Sequence, residues 1–344
     1  MRIPSLFPLR GLLLWAATAI CIAPTAVSMA SEARSEDSKV KVTPSAAAFA
    51  AVSDAPPPIR TAPTRSTPIQ VVDDAGRTVT LKAPARRIVS LAPNTTELLF
   101  AAGAGAAVVG ASRYSDYPEA AKRIPQIGDA TMVDLERVLA LKPDLLVVWR
   151  SGTSAATTAK LSALGVPIYF SEPTRLRDIP DTLRELGLLA GTLPQAERAA
   201  RAFTARSERL RKAHAGKPPV RVFFQVWEQP LMTIGGRQII HDAIVLCGGV
   251  NIFAALQAPS PTVGREAVIS ADPQAIVTTT YDAQGSDGLE GWRKLHGLRA
   301  VRQGHVYALK TPTLGRQSPR TLDGVEMLCR ALDDARAPQR GKRP

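Results

Sequence analysis

The sequence predicts an α/β protein of two lobes, each with a central parallel sheet, joined by one long α-helix. Three observations predict this. From residue 69 onward, short apolar strand-like runs alternate with helical periodicity, which argues for parallel sheets. A block at 178–214 interrupts the alternation with helical periodicity alone. Finally, LERVLALKPDLLVV (135–148) and REAVISADPQAIVT (265–278) both read Glu, then Val two residues on, then Pro seven residues after the Glu, then a strand. Glu136 and Glu266 take the same place in the two blocks, as a pair of lobes related by a pseudo-twofold axis would require.

Each element follows in order. IQVVDDAGRTVTL reads as a hairpin turning at Asp74-Ala75-Gly76. RRIVSLA is a strand, and PNTTELLFAAGAG opens a helix with Asn94 and Glu97 at capping-box spacing and Gly103 or Gly105 at its close. AAVVGAS is a second strand. MVDLERVLALKPDLLVVW and TTAKLSALGVPIYFSEP each read helix, break, strand. The helical block is broken only near Pro194. After Pro218-Pro219 the alternation resumes through VRVFFQVW, IIHDAIVLCGG, REAVISADPQAIVTT and GHVYALK, and DGVEMLCRALDDA is the last helix. The expected organisation is an N-terminal lobe at 67–180, a connecting helix at 181–216, a C-terminal lobe at 217–335 and a basic tail at 336–344.

The N-terminus has a different composition. Arg2 and Arg10 precede the apolar run GLLLWAATAICIAPTAVSMA, which ends in small residues. This is the pattern of a secretory signal peptide cleaved near Ala30. Pro24 leaves the run short for a membrane span, and the bulky Ile20 before Cys21 argues against lipoprotein processing. Residues 31–66, rich in Ala, Ser, Pro and charge, read as a disordered tether. The mature chain is expected in the periplasm. There Cys247 and Cys329 are the two cysteines left, and an even number in an oxidising compartment suggests a disulfide, with two buried thiols as the alternative.

The formal net charge is +13. The positive residues are spread along the chain, with one dense cluster in the Pro/Gly-containing tail, so no basic stripe with interleaved aromatics points to nucleic acid. The chain has no Gly-x-Ser-x-Gly, His-Glu-x-x-His or Walker motif. The histidines are scattered, with His214 expected at the exposed end of the connecting helix. No metal site and no catalytic group are predicted. An exported two-lobe α/β chain without catalytic residues implies a binding protein, its ligand held where strand-to-helix loops converge between the lobes. Those loops include Pro93-Asn94, 113–117, 129–132, 149–153, 227–232, 258–263 and 311–316. They carry Trp149 and Trp227 together with Tyr114 and Tyr117, and aromatic walls suit a large, flat, partly apolar ligand.

RIVSLAPNTTELLFAAG, SRYSDYP, LERVLALKPDLLVVWRSG and CGGVNIF resemble the helical-backbone metal receptors, class III periplasmic binding proteins of ABC importers that bind cobalamin, haem or ferric siderophores. The resemblance spans about residues 86–334 and is to the cobalamin-binding branch. It implies cobalamin or a related corrinoid as ligand, with haem or a ferric siderophore as the alternative. It places Tyr114, Trp149 and Arg316 in the pocket, pairs Cys247 with Cys329, and assigns Glu136 and Glu266 to docking on a twofold ABC permease. The chain departs from the pattern at Ala130 and Ser260, where the cobalamin binders have tryptophan, at Met232, where they have phenylalanine, and at Pro312, where they have a carboxylate. Trp227 and Met232 are the residues expected to compensate. A haem reading would make Tyr114 or Tyr117 the iron ligand. A secreted chelate-modifying enzyme is the reading from another class, and no catalytic constellation supports it. The mature protein is expected to be a monomer.

Overall fold

The computed structural model describes residues 67–129, 132–280 and 287–337. The expected signal peptide (1–30), the tether (31–66), Ala130 and residues 338–344 of the tail lie outside the described residues.

The first lobe opens with an antiparallel hairpin, β1 (Ile69–Val72) and β2 (Thr78–Leu81). Its turn is held from one residue earlier than expected: Asp73 Oδ1 accepts from the backbone N–H of Ala75 and Arg77 at 3.0 and 2.9 Å. Gly76 sits at φ +74°, which glycine adopts without a Cβ penalty. There follow β3 (Ile88–Ser90), α1 (Pro93–Ala101), β4 (Val108–Ala111), α2 (Leu135–Ala140), β5 (Leu145–Trp149), α3 (Ala155–Ser162) and β6 (Ile168–Ser171). The four later strands form an all-parallel sheet in the order β4-β3-β5-β6. Ile88–Ser90, Leu145–Val148 and β6 are buried without alternation, because helices cover both faces of the sheet.

The helical block comprises α4 (Asp178–Ala190) and α5 (Leu193–His214). Gly191, left-handed at φ +70°, ends α4. Helix α4 packs on α1 and β1 and so extends the first lobe, while α5, 22 residues long, is the connecting helix. A helix of that length spans about 33 Å. The helix begins at Leu193 because Thr192 Oγ1 donates to Ala102 O at 2.7 Å and turns the chain there.

The second lobe contains β7 (Val220–Gln225), α6 (Ile239–Leu246), β8 (Gly249–Asn251), α7 (Arg265–Ala271), β9 (Ala275–Thr280), α8 (Glu290–Arg293), α9 (Arg299–Arg302), β10 (Val306–Lys310) and α10 (Thr321–Arg336). Its parallel sheet runs β10-β9-β7-β8. In both sheets the lobe's second strand flanks its first on one side, and its third and fourth follow on the other. The repeat read around Glu136 and Glu266 is therefore one topology used twice.

Helix α5 is fastened to the second lobe by charge. Arg206 donates to Glu326 Oε1 at 2.8–2.9 Å and to Asp323 Oδ1 at 2.7 Å, both on α10. His214, expected at an exposed helix end, is buried instead, with Nδ1 2.8 Å from Leu210 O and Nε2 3.2 Å from Asp333 Oδ2. The aspartate lies on α10, which an α5-only reading of the block does not see. Cys247 Sγ and Cys329 Sγ are 2.03 Å apart, at the end of α6 and within α10.

A titratable pair lies between α4 and the first sheet. The fully buried Tyr169 of β6 donates its hydroxyl to the Glu185 carboxylate. Burial, reinforced by Asp74, Asp181 and Asp73, pushes Glu185 up to about 7 against the opposing pull of the Tyr169 hydrogen bond. The folded state thus holds a proton that the unfolded chain releases near pH 4.5. Stability from this group is full below that pH and declines as pH rises through about 7. Glu185→Gln is expected to flatten that decline and to raise stability at pH 7.5, measured by urea unfolding between pH 4.5 and 8. An unchanged pH profile would remove Glu185 as the source.

Candidate functional site

Two strands of each sheet end at a shared cavity of about 1160 Å³. From the first lobe come Trp149, Arg150 and Ser151 after β5 and Glu172 and Thr174 after β6; from the second come Gln225 to Glu228 after β7 and Thr278 to Thr280 at the end of β9. Ligand sites of open parallel sheets form at such carboxyl ends. Gly315 and Gln317, from the loop before α10, close the wall. Two indoles face it from opposite lobes. Trp149 lies against Gly152, where an added Cβ would fall 1.9 Å from the ring, so the glycine is what lets the indole lie flat. Trp227 is 62% exposed, and its Nε1 donates to Gln229 O at 2.9 Å. The charged lining comprises Arg150 and Arg237 against Glu172, Glu228 and Asp287, and ten further lining residues are Ser, Thr or Gln.

The two lobes are joined beneath the cavity by polar contacts between α1 and the loop before α10. Asn94 Nδ2 donates to Gln317 Oε1 at 3.3 Å, and Gln317 Nε2 donates to Glu172 Oε1 at 3.1 Å. Glu97, 4% exposed, accepts from Ser318 Oγ at 2.6 Å and Arg320 Nη1 at 3.1 Å, with Arg316 Nε at 3.5 Å. Burial raises the Glu97 carboxyl above the ordinary range, while Ser318, Arg316 and Arg320 pull it back. These contacts overturn the capping box expected of Asn94 and Glu97. The helix begins at Pro93 with Ala92 as N-cap, and Thr95 Oγ1 accepts from the Ala92 N–H at 3.2 Å. Both predicted capping side chains instead reach across to the other lobe, a partner more than 200 residues away that no local pattern reveals.

The RYSDYP loop rests on the same helix. Thr96 Oγ1 lies 3.0 Å from Ser115 Oγ and 2.8 Å from Ser90 Oγ, within hydrogen-bond reach of both in a buried hydroxyl cluster. Tyr114, between Arg113 and the buried Ser115, is held at φ +66° and is 69% exposed. A bulky residue in this region is strained and persists where its surroundings over-determine it. The Arg320 guanidinium stacks 4.0 Å above the Tyr117 ring, so the second lobe also covers this loop.

Of the predicted ligand residues, Trp149 and Trp227 line the cavity, as does Ser260. Met232 pairs with Trp227 across an antiparallel β-bridge that closes that turn, and is not among the lining residues. Arg316 is directed at Glu97. Tyr114 stands on the exposed loop and is not among the lining residues. Glu136 and Glu266 are exposed in the first turns of α2 and α7. Sequence reasoning missed Glu97, Glu172, Gln317 and the Thr278–Thr280 run. The polar run Asn94–Glu97 at the start of α1, all of it buried, was the one readable signal.

The model of the periplasmic binding protein family matches residues 88–313, and the chain belongs to that family. It is 37% identical over 249 residues to the vitamin B12-binding protein of Vibrio cholerae, covering 72% of this chain and 90% of that one. It is 39% identical over 248 residues to the vitamin B12-binding protein of Yersinia pestis, covering 72% and 86%. Among solved structures, the periplasmic vitamin B12 binding protein BtuF of Vibrio cholerae matches with a TM-score of 0.68 at 37% identity, over 74% of this chain and 99% of that one. The periplasmic heme-binding protein RhuT from Roseiflexus matches with a TM-score of 0.64 at 28% identity, over 74% and 100%.

Replacing Glu97 with Ala leaves the facing arginines and Ser318 without their shared acceptor. Loss of one partner of a buried ion pair is expected to lower stability by about 3 kcal/mol, read from urea midpoints at constant slope. A loss below about 0.5 kcal/mol would class the contact with exposed surface pairs.

Proposed function

We propose that this chain is the substrate-binding component of an ABC importer, capturing cobalamin or a related corrinoid between its lobes in the periplasm and delivering it to a membrane permease. The observation that carries the reading is the cavity. Its volume of about 1160 Å³ exceeds the roughly 300–1,000 Å³ of ordinary small-molecule sites. Its walls combine two indoles with neutral hydroxyl and amide side chains, which suit a large ring bearing peripheral amides. The lining carries three carboxylates against two guanidiniums, a balance that disfavours the propionates of haem or an anionic ferric siderophore. The identity to vitamin B12-binding proteins supports the same choice.

In this reading Trp149 and Trp227 grip the ring from opposite sides, and Trp227 supplies the contact that Ser260 does not. Met232 braces Trp227, Arg316 keeps the lobes in register through Glu97, and Tyr114 meets the ligand from the rim. Glu136 and Glu266 dock on basic side chains of a twofold permease, the arrangement a duplicated topology fits. Cys247 and Cys329 form a disulfide. The signal peptide is cleaved near Ala30, 31–66 tether the mature domain, and the protein acts as a monomer without catalysis.

Calorimetric titration of the mature protein with cyanocobalamin is expected to give one-to-one binding. Trp227→Ala should weaken it about tenfold, the scale of one buried aromatic contact. Glu136→Ala with Glu266→Ala should leave that affinity intact and abolish uptake by cells. Absence of heat with cyanocobalamin, together with a Soret shift on adding haemin, would replace the corrinoid by haem.

A further inference from the structure

Helices α2 and α7 share more than their glutamates. Three residues after Glu136 stands Leu139, and three after Glu266 stands Ile269, 49% and 42% exposed. Residues three apart lie on one helix face, so each helix shows a carboxylate beside an aliphatic side chain. Between them Val138 and Val268 are fully buried and anchor the helices.

The supports beneath are duplicated too. Arg87 Nε donates to Leu141 O, and Arg221 Nη2 donates to Ala271 O, each at 2.8 Å, at the carboxyl ends of the two helices. The backbone N–H of each arginine donates at 3.0 Å to the side chain just beyond the proline, Asp144 in one lobe and Gln274 in the other. Lys142 and Asp272, before those prolines, are both left-handed at φ +46° and +40°. Two short helices are thus clamped alike, and each runs back from the cavity end of its sheet to feed β5 or β9. Exposed aliphatics cost solubility, and scattered ones carry no meaning. These two fall on equivalent positions of a repeat whose neighbouring residues have otherwise diverged, Arg137 against Ala267 and Ala140 against Ser270.

We infer that Leu139 and Ile269 are a second, apolar pair of docking residues, each entering a pocket beside the cation that meets Glu136 or Glu266 on a twofold-symmetric membrane permease. The inference rests on the docking role proposed above for the glutamates. A second copy of this chain is the poorer occupant, because an isologous contact through this face would set carboxylate against carboxylate.

The test uses Leu139→Ser with Ile269→Ser, both exposed, beside Glu136→Gln with Glu266→Gln. Binding to the cognate permease–ATPase complex in nanodiscs is expected to fall about tenfold per aliphatic site, while cyanocobalamin affinity, thermal midpoint and sedimentation stay unchanged. Serine substitutions at Leu188 and Val245, exposed aliphatics on α4 and α6, should have no effect. Normal permease binding by the aliphatic pair, with binding lost in the glutamine pair, overturns the inference and leaves acid docking standing. Normal binding by both pairs removes the docking role itself. A dimer in sedimentation that the serine pair dissolves assigns the face to a second copy instead.

Discussion

A carboxylate taken out of water is tolerated only where donors replace its hydration, and Glu97 is such a group. Its donors Ser318 and Arg320, and the Arg316 guanidinium that pairs with it in charge, all come from the other lobe. The cost of burying Glu97 is therefore offset only when α1 and the loop before α10 stand in one relative position. Asn94 and Gln317 repeat the constraint one turn away. Because Gln317 also bonds Glu172 on the cavity wall, and Arg320 also covers Tyr117, the same junction sets the cavity and its rim.

A receptor assembled this way holds its cleft partly formed before any ligand arrives. Preorganisation reduces the side-chain ordering that binding otherwise requires. The long α5 acts in the same sense, since Arg206 fixes it to α10 while α4 packs along it from the first lobe. The exposed Trp227 is the contrasting element: a large aromatic standing in water at the cavity wall, where a ligand's apolar face would cover it.

Duplication explains the outer surface. Each lobe is the same four-strand topology, and each presents a short helix clamped by an arginine from the lobe's first strand region. The two arginines, at 87 and 221, bond helix carbonyls at the same distance. Pro143 and Pro273 stand in the short connections that lead from these helices into β5 and β9. The docking role proposed for the acids and aliphatics treats them as pairs because the helices that carry them are supported alike in the two lobes.

The alternation of strands and helices, the purely helical interruption and the repeat around Glu136 and Glu266 were all legible in the sequence, because hydrophobic period and proline breaks are local signals. So were Trp149 and Trp227 as cavity residues, from their place after strands. The three-residue β8 was too short to read as a strand, whereas the break near Pro194 that divides α4 from α5 was legible. The sequence by itself determined two parallel-sheet lobes, a cleft between them and the paired acids on their surface. Only the tertiary structure decided that Asn94, Glu97 and Arg316 serve the lobe junction and that His214 is buried on Asp333. In each case the deciding partner lies over a hundred residues away, and the energy of a buried polar group depends on that partner rather than on its neighbours in the chain.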